Sequence, residues 1–338
     1  MATLMLARLL RPLAALAAAA VISTLGVAPS AADDLVDLKF RLNYVPSGSH
    51  SPFFLAVKNG WYKDAGLNVT IEDGRGSAQT ISLVAGGQDD IGYTDLTAAS
   101  VAITKGIPIK AIAALIRTSG QGVIVNHNEN LNKPEDFRGK EIIYNNAGAA
   151  EQALFGGFLA TAGMTVKDVN MVGVDSASKE ASILAERGDA AVAPLPYLKA
   201  LLEGKREFKH VMFSDFGLRL LDIGLVANTT VMKEKPEALK KFLAVTAKAY
   251  AYALDGHQEE SVDAMISMRP DAKINRDQAI RYLNYNEPLM QSPSTQGKPV
   301  GYMSATNWEE MVSNLEKVGL LQPGVKPTDL YDPSFQPE

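Results

Sequence analysis

The sequence predicts an α/β protein of two lobes built on largely parallel sheets. Three observations carry this prediction. Short segments of alternating apolar and polar residues are interleaved with segments of helical period, which is the rhythm of βαβ units. Most of the helical segments stop at a glycine. The 338-residue chain is long enough for two lobes and carries no fixed-period repeat.

The elements follow in order. Leu38 to Leu42 alternates and reads as a strand, and Tyr44 to Ser51 is a loop of Pro, Gly and Ser. Phe53 to Trp61 has helical spacing, Leu67 to Ile71 is a second strand, and Gly74-Arg75-Gly76-Ser77 leads into a helix from Ala78 to Ala85. A strand at Ile91–Tyr93, a helix at Leu96–Lys105 and a strand at Ile109–Ile116 complete the first run. A second alternation starts at Val123. Its strands are Glu141–Tyr144, Asn170–Val174 and Ala190–Ala193, and its helices are Glu151–Gly163, Ser178–Arg187 and Tyr197–Gly204. After about Asn228 the pattern turns helical, at Pro236–Leu254, Val262–Met268, Arg276–Asn284 and Asn307–Val318. A helical tail of this kind is expected to pack back on the sheets. The strand-then-helix order places ligand-facing loops at the carboxyl ends of the strands.

The first 32 residues read differently. Arg8 and Arg11 precede the apolar stretch Pro12 to Val27, and Ser30-Ala31-Ala32 precedes Asp33-Asp34. This is the pattern of a cleaved secretory signal, with the cut after Ala32 and a mature chain expected in the periplasm. The chain has no cysteine, which removes thiol nucleophiles, Cys-ligated zinc and iron–sulfur clusters. Its net charge of −5 favours neither nucleic acid nor an anionic membrane as partner. There is no G-x-S-x-G elbow, no H-E-x-x-H and no P-loop, and the four histidines lack ligand spacing. No metal, cofactor or catalytic residue is expected.

Several stretches together resemble a known family. They are Asn43-Tyr44-Val45-Pro46, His50, Phe53-Phe54-Leu55-Ala56, Asn59-Gly60-Trp61-Tyr62 and Ala65-Gly66-Leu67-Asn68-Val69. Gly87 to Gly92 follows G-x-x-D-[IFV]-G, Leu131 to Lys140 follows L-x-x-P-x-D-L-x-G-K with Phe137 for the second Leu, and Asp189-Ala190 ends a G-x-x-D-A step in which Glu186 stands for the Gly. In order and spacing, from about Leu38 to Leu320, the chain resembles the periplasmic solute-binding proteins for sulfonates, taurine, nitrate and the pyrimidine precursors of thiamine. The resemblance implies a type II periplasmic binding protein fold with two α/β lobes, a hinge and an interlobe cleft. Residues 33–118 and 222–338 would form one lobe and 119–221 the other, with crossings near Thr118–Gln121 and Leu221–Leu225. It also implies a monomer that is not an enzyme, and that delivers a small organic molecule to the inner-membrane permease of an ABC importer. The alternative is an exported enzyme of the same fold acting on a small aromatic or pyrimidine compound. The family's pyrimidine synthase uses a Cys-rich stretch, and none is present here.

The candidate cleft residues each have two readings. Tyr44 stacks on a planar ligand or packs as a core aromatic, and His50 hydrogen-bonds the ligand or is a solvated loop residue. Ser77 and Gln79 open a helix, where Ser77 can also serve as N-cap. Thr94 and Asp95 follow a strand, and Asp95 either accepts from a ligand N–H or caps the next helix. Thr118 turns its hydroxyl to the cleft or belongs to the hinge turn. Asp175 has the same two roles as Asp95. Pro194 stiffens the turn below Tyr197, which forms a second aromatic wall or packs in the core. Sulfonate- and nitrate-type members tend to carry Gly-Ser or Gly-Thr at the start of the second-lobe helix, whereas here the stretch runs Asn145 to Glu151. The hydroxyl is missing at Ala149 and Ala150, and Glu151 either would oppose an anion at the helix start or is a solvated first-turn acid that complements the helix dipole. With no Lys in the expected cleft loops and only Arg75 and Arg117 near them, the ligand is expected to be neutral or cationic.

Overall fold

In the computed structural model, which describes residues 35–126, 129–145, 149–204 and 208–337, the strands form two mixed five-stranded sheets. The predicted leader at 1–32 lies outside the described residues, as do His127 and Asn146–Gly148. The first half of the chain supplies β1 (Val36–Arg41), α1 (Ser51–Lys58), α2 (Trp61–Asp64), β2 (Leu67–Glu72), α3 (Ser77–Ala85), β3 (Ile91–Asp95), α4 (Leu96–Thr104) and β4 (Ile109–Ala114). Then come β5 (Gln121–Val125), β6 (Glu141–Asn145), α5 (Ala149–Ala160), β7 (Asn170–Val174), α6 (Ser176–Leu184), β8 (Ala190–Pro194), α7 (Leu195–Leu202) and β9 (Lys209–Met212). The chain returns through β10 (Ile223–Asn228), followed by α8 (Thr229–Glu234), α9 (Pro236–Leu254), α10 (Gln258–Met268), α11 (Arg276–Asn286), α12 (Ala305–Lys317) and α13 (Pro327–Leu330).

The sheet orders are β2-β1-β3-β10-β4 and β7-β6-β8-β5-β9. Each sheet is parallel except at the strand that enters it from the other half. β10 runs antiparallel to β3 and β4, and β5 runs antiparallel to β8 and β9. This has a geometric consequence. β4 leaves the first sheet at the edge where β1, β2 and β3 end, and β5 enters the second sheet at the edge where β6, β7 and β8 end. β9 and β10 make the return between the same two edges. The carboxyl edges of the two sheets are therefore the ones joined by both crossings. Ligands of open α/β sheets bind outside the carboxyl ends of strands.

The alternation seen in the sequence sets the burial. Leu38 and Phe40 of β1 are fully buried and pack with Phe53, Phe54 and Phe242. The helix expected from Phe53 to Trp61 is broken into α1 and α2, because Gly60 adopts φ 74° and lets the chain turn. The helical tail packs on both halves. α9 joins the apolar cluster of β1 and α1, while Trp308, Met311 and Leu315 of α12 join a cluster that also holds Leu96 and Ala111 from the first half and Phe155 and Phe158 from the second.

Candidate ligand-binding site

The carboxyl end of β1 runs into Asn43–His50, and a neighbouring loop holds it in place. Gly76 N–H donates to Asn43 O at 2.6 Å and Gly74 N–H to Tyr44 O at 3.1 Å. Gly74 is required there, since a Cβ would sit 2.0 Å from Leu42 O. Beyond it, Asn43, Tyr44, Ser47, Ser49, His50 and Tyr93 line a cavity of about 110 Å³, closed by Ile223 and by Tyr282 from α11.

His50 is 2% exposed, so it is not a solvated loop residue. Neither is it free to bind a ligand. Ser47 N–H donates to Nδ1 at 3.0 Å, so Nδ1 is unprotonated and the proton resides on Nε2, which donates to Asn43 Oδ1 at 3.0 Å. Burial lowers the imidazole pKa to about 3, so the ring stays neutral. Its edge meets Tyr93 at 4.7 Å. The consequence falls on Asn43. With Oδ1 fixed as acceptor, its N–H2 group is left for the cavity. Sequence reading passed over Asn43 as a site residue, although Asn43 and His50 both stand in the motif. Tyr44 is 59% exposed, not a core aromatic, and lines the cavity.

The end of β3 adds Thr94 and Asp95. Thr94 is fully buried and its Oγ1 has no protein partner. Asp95 caps α4 by accepting from Ala98 N–H at 2.6 Å. Ser77 is not the cap of α3, because Gly76 occupies that position; its Oγ instead accepts from Asp95 N–H at 3.1 Å. Gln79 and Arg75 are exposed. At the return crossing, Asp222 accepts from Gly120 N–H at 3.1 Å, which ties one crossing to the other. Burial, and the proximity of Asp222, raise the Asp95 carboxyl to about 7; burial raises Asp222 to about 6. Sequence reading missed Asp222, which carries no motif and acts through the fold alone.

Thr118 and Arg117 point elsewhere. Thr118 Oγ1 donates to Gln291 O at 2.9 Å, and Thr118 and Arg117 line a separate cavity of about 400 Å³ against Asn307 and Glu310. Arg117 is not an anion clamp of the cleft. It is 3% exposed and its guanidinium donates to the carbonyls of Thr295, Lys298 and Pro299.

The second edge holds Glu151, Asp175 and Pro194. Glu151 does not stand as a free negative charge at a helix start. Lys179 Nζ reaches its two oxygens at 2.7 and 2.8 Å, and Asn145 N–H donates to Oε2 at 3.0 Å. The expectation of an opposing charge failed because Lys179, on α6, lies 28 residues away in sequence and only the parallel pairing of β6 with β7 brings the two helix starts together. For the same reason the edge does carry a lysine. Asp175 accepts from Ser178 N–H at 3.0 Å at the head of α6 and is exposed. Pro194 ends β8 opposite Gln121 and precedes α7. Ala149 and Tyr197 lie in α5 and α7, and their side chains fall outside those described.

Residues 47–260 match the family model described as NMT1/THI5 like. The chain belongs to the NMT1/THI5-like family. It is 24% identical to the formylaminopyrimidine-binding protein of Halalkalibacterium halodurans, over 89% of this chain and 92% of that protein. It is 25% identical to a 4-amino-5-hydroxymethyl-2-methylpyrimidine phosphate synthase of Saccharomyces cerevisiae, over 64% and 67% of the two chains. Among solved structures it is similar to the periplasmic aliphatic sulphonate binding protein SsuA of Escherichia coli. The TM-score is 0.68 at 15% identity, covering 90% of this chain and 93% of that one. The nitrate-binding protein NrtA of Synechocystis gives a TM-score of 0.63 at 15% identity, over 87% and 84%. As a member of this family, the chain has the periplasmic binding protein fold that those likenesses show.

Proposed function

We propose that this family member is an exported solute-binding protein that captures a small, neutral or weakly cationic nitrogen heterocycle and hands it to the permease of an ABC importer. The observation that carries the reading is the Ser47–His50–Asn43 relay. It presents an amide N–H2 to a small cavity whose lining, Asn43, Tyr44, Ser47, Ser49, His50, Tyr93, Ile223 and Tyr282, contains no charged side chain. An N–H2 donor pair matches a ring nitrogen or carbonyl acceptor, and Tyr44, Tyr93 and Tyr282 supply aromatic faces for a flat ring. Asp95 and Asp222 at the adjoining edge suit a ligand N–H or amine. The preference for an uncharged or cationic ligand thus rests on these residues and not on Glu151.

Leader, crossings and coverage support the rest of the reading. The predicted leader would export the chain, and among the described residues no helix is long and apolar enough to cross a membrane. The two crossings would act as a hinge between 33–118 with 222–338 and 119–221, and the protein would act as a monomer. Binding and not turnover is the proposed activity, since among the described residues lining the cavity His50 is held neutral with both ring nitrogens engaged, and no carboxylate or lysine lies beside Ser47 and Ser49 to activate their hydroxyls.

Native mass spectrometry of protein purified without denaturation, followed by calorimetry with aminopyrimidine and sulfonate panels, tests this. Stoichiometric binding of an aminopyrimidine, recovered unchanged, is expected. Chemical conversion of that compound, or tight binding confined to sulfonates, would overturn it.

A further inference from the structure

The C-terminal tail touches the second half of the chain at two places, and the two contacts are chemically opposite. Near α12 the contact is apolar. A Cβ on Gly157 of α5 would lie 2.2 Å from Val318 Cγ1, and Trp308, Met311 and Leu315 share one buried cluster with Phe155 and Phe158. At α11 the contact is polar. Arg281 donates from Nε and Nη2 to Ala200 O, both at 3.2 Å, and Nε lies 3.1 Å from Glu203 Oε2. Tyr285 donates to Glu203 Oε1 at 2.6 Å, and Lys199 Nζ sits 4.2 Å from the centre of the Tyr285 ring. Arg281 thereby caps the carboxyl end of α7, where a cation complements the helix dipole.

α11 is itself fixed to the first half. Gly48 approaches it so closely that a Cβ would stand 1.8 Å from Ala279 O, and Tyr282, one residue after Arg281, lines the cavity beside Asn43 and His50. One face of α11 therefore belongs to the cavity wall and the other grips α7.

We propose that the α11–α7 contact is a releasable latch that holds the two halves together in the empty protein, while the apolar α12 contact is the side about which they open. The difference in chemistry supports this assignment. Separating the α12 side would expose buried aromatic and aliphatic surface to water. Separating the α11 side exchanges partly exposed ionic and hydrogen-bonding groups for water, at little cost and in a salt-dependent way. The Arg281 and Glu203 side chains are 35% and 47% exposed. The latch rests on the two-lobed reading of the protein but on no particular ligand.

The test needs no ligand. The chain has no cysteine, so spin labels can be placed uniquely on exposed Ala78→Cys in α3 and Gln152→Cys in α5. Double electron–electron resonance on the labelled, ligand-free protein should give one narrow distance distribution. Arg281→Ala should move it to longer distances and broaden it, and 1 M salt should do so in part. The charge exchange of Arg281→Glu with Glu203→Arg should restore it only in part, because a carboxylate at 281 remakes the ion pair but cannot donate to Ala200 O. Tyr285→Phe, which removes only a hydroxyl, should give a smaller shift. Unfolding curves establish that each variant is folded. An identical distribution in the parent and in folded Arg281→Ala overturns the latch, and so does a broad, long distribution in the parent itself. Neither outcome bears on ligand binding, which calorimetry reads separately.

Discussion

The two carboxyl edges are built on the same plan and differ in what they present. The edge of the first sheet is neutral at its centre. A histidine that burial keeps uncharged orients an asparagine, and aromatic rings surround them. The edge of the second sheet is ionic, with Glu151 and Lys179 locked together at the heads of α5 and α6. A neutral relay discriminates by hydrogen-bond pattern, because each donor has one correct partner. An ion pair already satisfied within the protein fixes local geometry and has little charge left for a ligand. On the proposed reading the first edge would select the ligand, while the second edge holds its own helix starts in register.

The largest expected effect breaks the second edge. Lys179→Met leaves the Glu151 carboxylate without its counter-ion while both side chains are largely buried, at 10% and 19% exposure. Removing one partner of a buried pair costs about 3 kcal/mol, which urea unfolding will read directly. Pairing it with Glu151→Gln should recover part of the loss, since two neutral groups carry no buried charge. If Lys179→Met is as stable as the parent, the pair is solvated and the division of labour between the edges is wrong.

A pH series sharpens the comparison at the hinge. Burial raises Asp222 from 3.8 to about 6, so between these values the folded chain holds a proton that the unfolded chain has released. Stability from this group is full at low pH and falls as pH rises through that window. Asp95, raised from 3.8 to about 7 by burial and by Asp222, acts in the same direction up to pH 7. His50 acts oppositely. Its pKa is lowered from 6.5 to about 3, so the unfolded chain binds more protons there and stability rises with pH across that range. Asp222→Asn removes one falling contribution and keeps an acceptor for Gly120 N–H. Its stability relative to the parent should improve by about 1.4 kcal/mol on going from pH 5 to pH 8. Parallel pH curves for the two proteins would show that Asp222 titrates normally.

How much of this was legible in the sequence depends on the range of the interaction. The α/β rhythm and the Pro236–Leu254 helix were readable because periodicity and punctuation are local, and α9 spans those same residues. Asp95 as a helix cap was readable for the same reason. Glu151 was misread because its partner sits on another helix, and a charge has no meaning until its neighbours are known. Asp222 left no trace because its role is to accept from Gly120, 102 residues earlier. Asn43 lay between the two cases. The motif displayed Asn43 and His50 seven residues apart, but only the buried ring, with Ser47 N–H on Nδ1, shows that His50 has both ring nitrogens engaged within the protein.

That last point gives the smallest effect and the one most specific to function. If Asn43 is the selecting donor, losing its N–H2 forfeits a hydrogen bond worth about 1 kcal/mol net, or roughly fivefold in affinity. Asn43→Ala alone is ambiguous, since it also strips the acceptor from His50 Nε2–H and so disturbs the loop. Asn43→Asp separates the two roles. A carboxylate still accepts from His50 Nε2–H, so the relay and the loop survive, but it has no hydrogen to offer. Calorimetry with an aminopyrimidine should find both variants weakened, with the melting temperature lowered clearly only in Asn43→Ala. A ligand that offers an N–H in place of its ring acceptor should regain affinity for Asn43→Asp, because donor and acceptor have changed sides. Undiminished aminopyrimidine binding by both variants would place selection on the second edge and reverse the comparison.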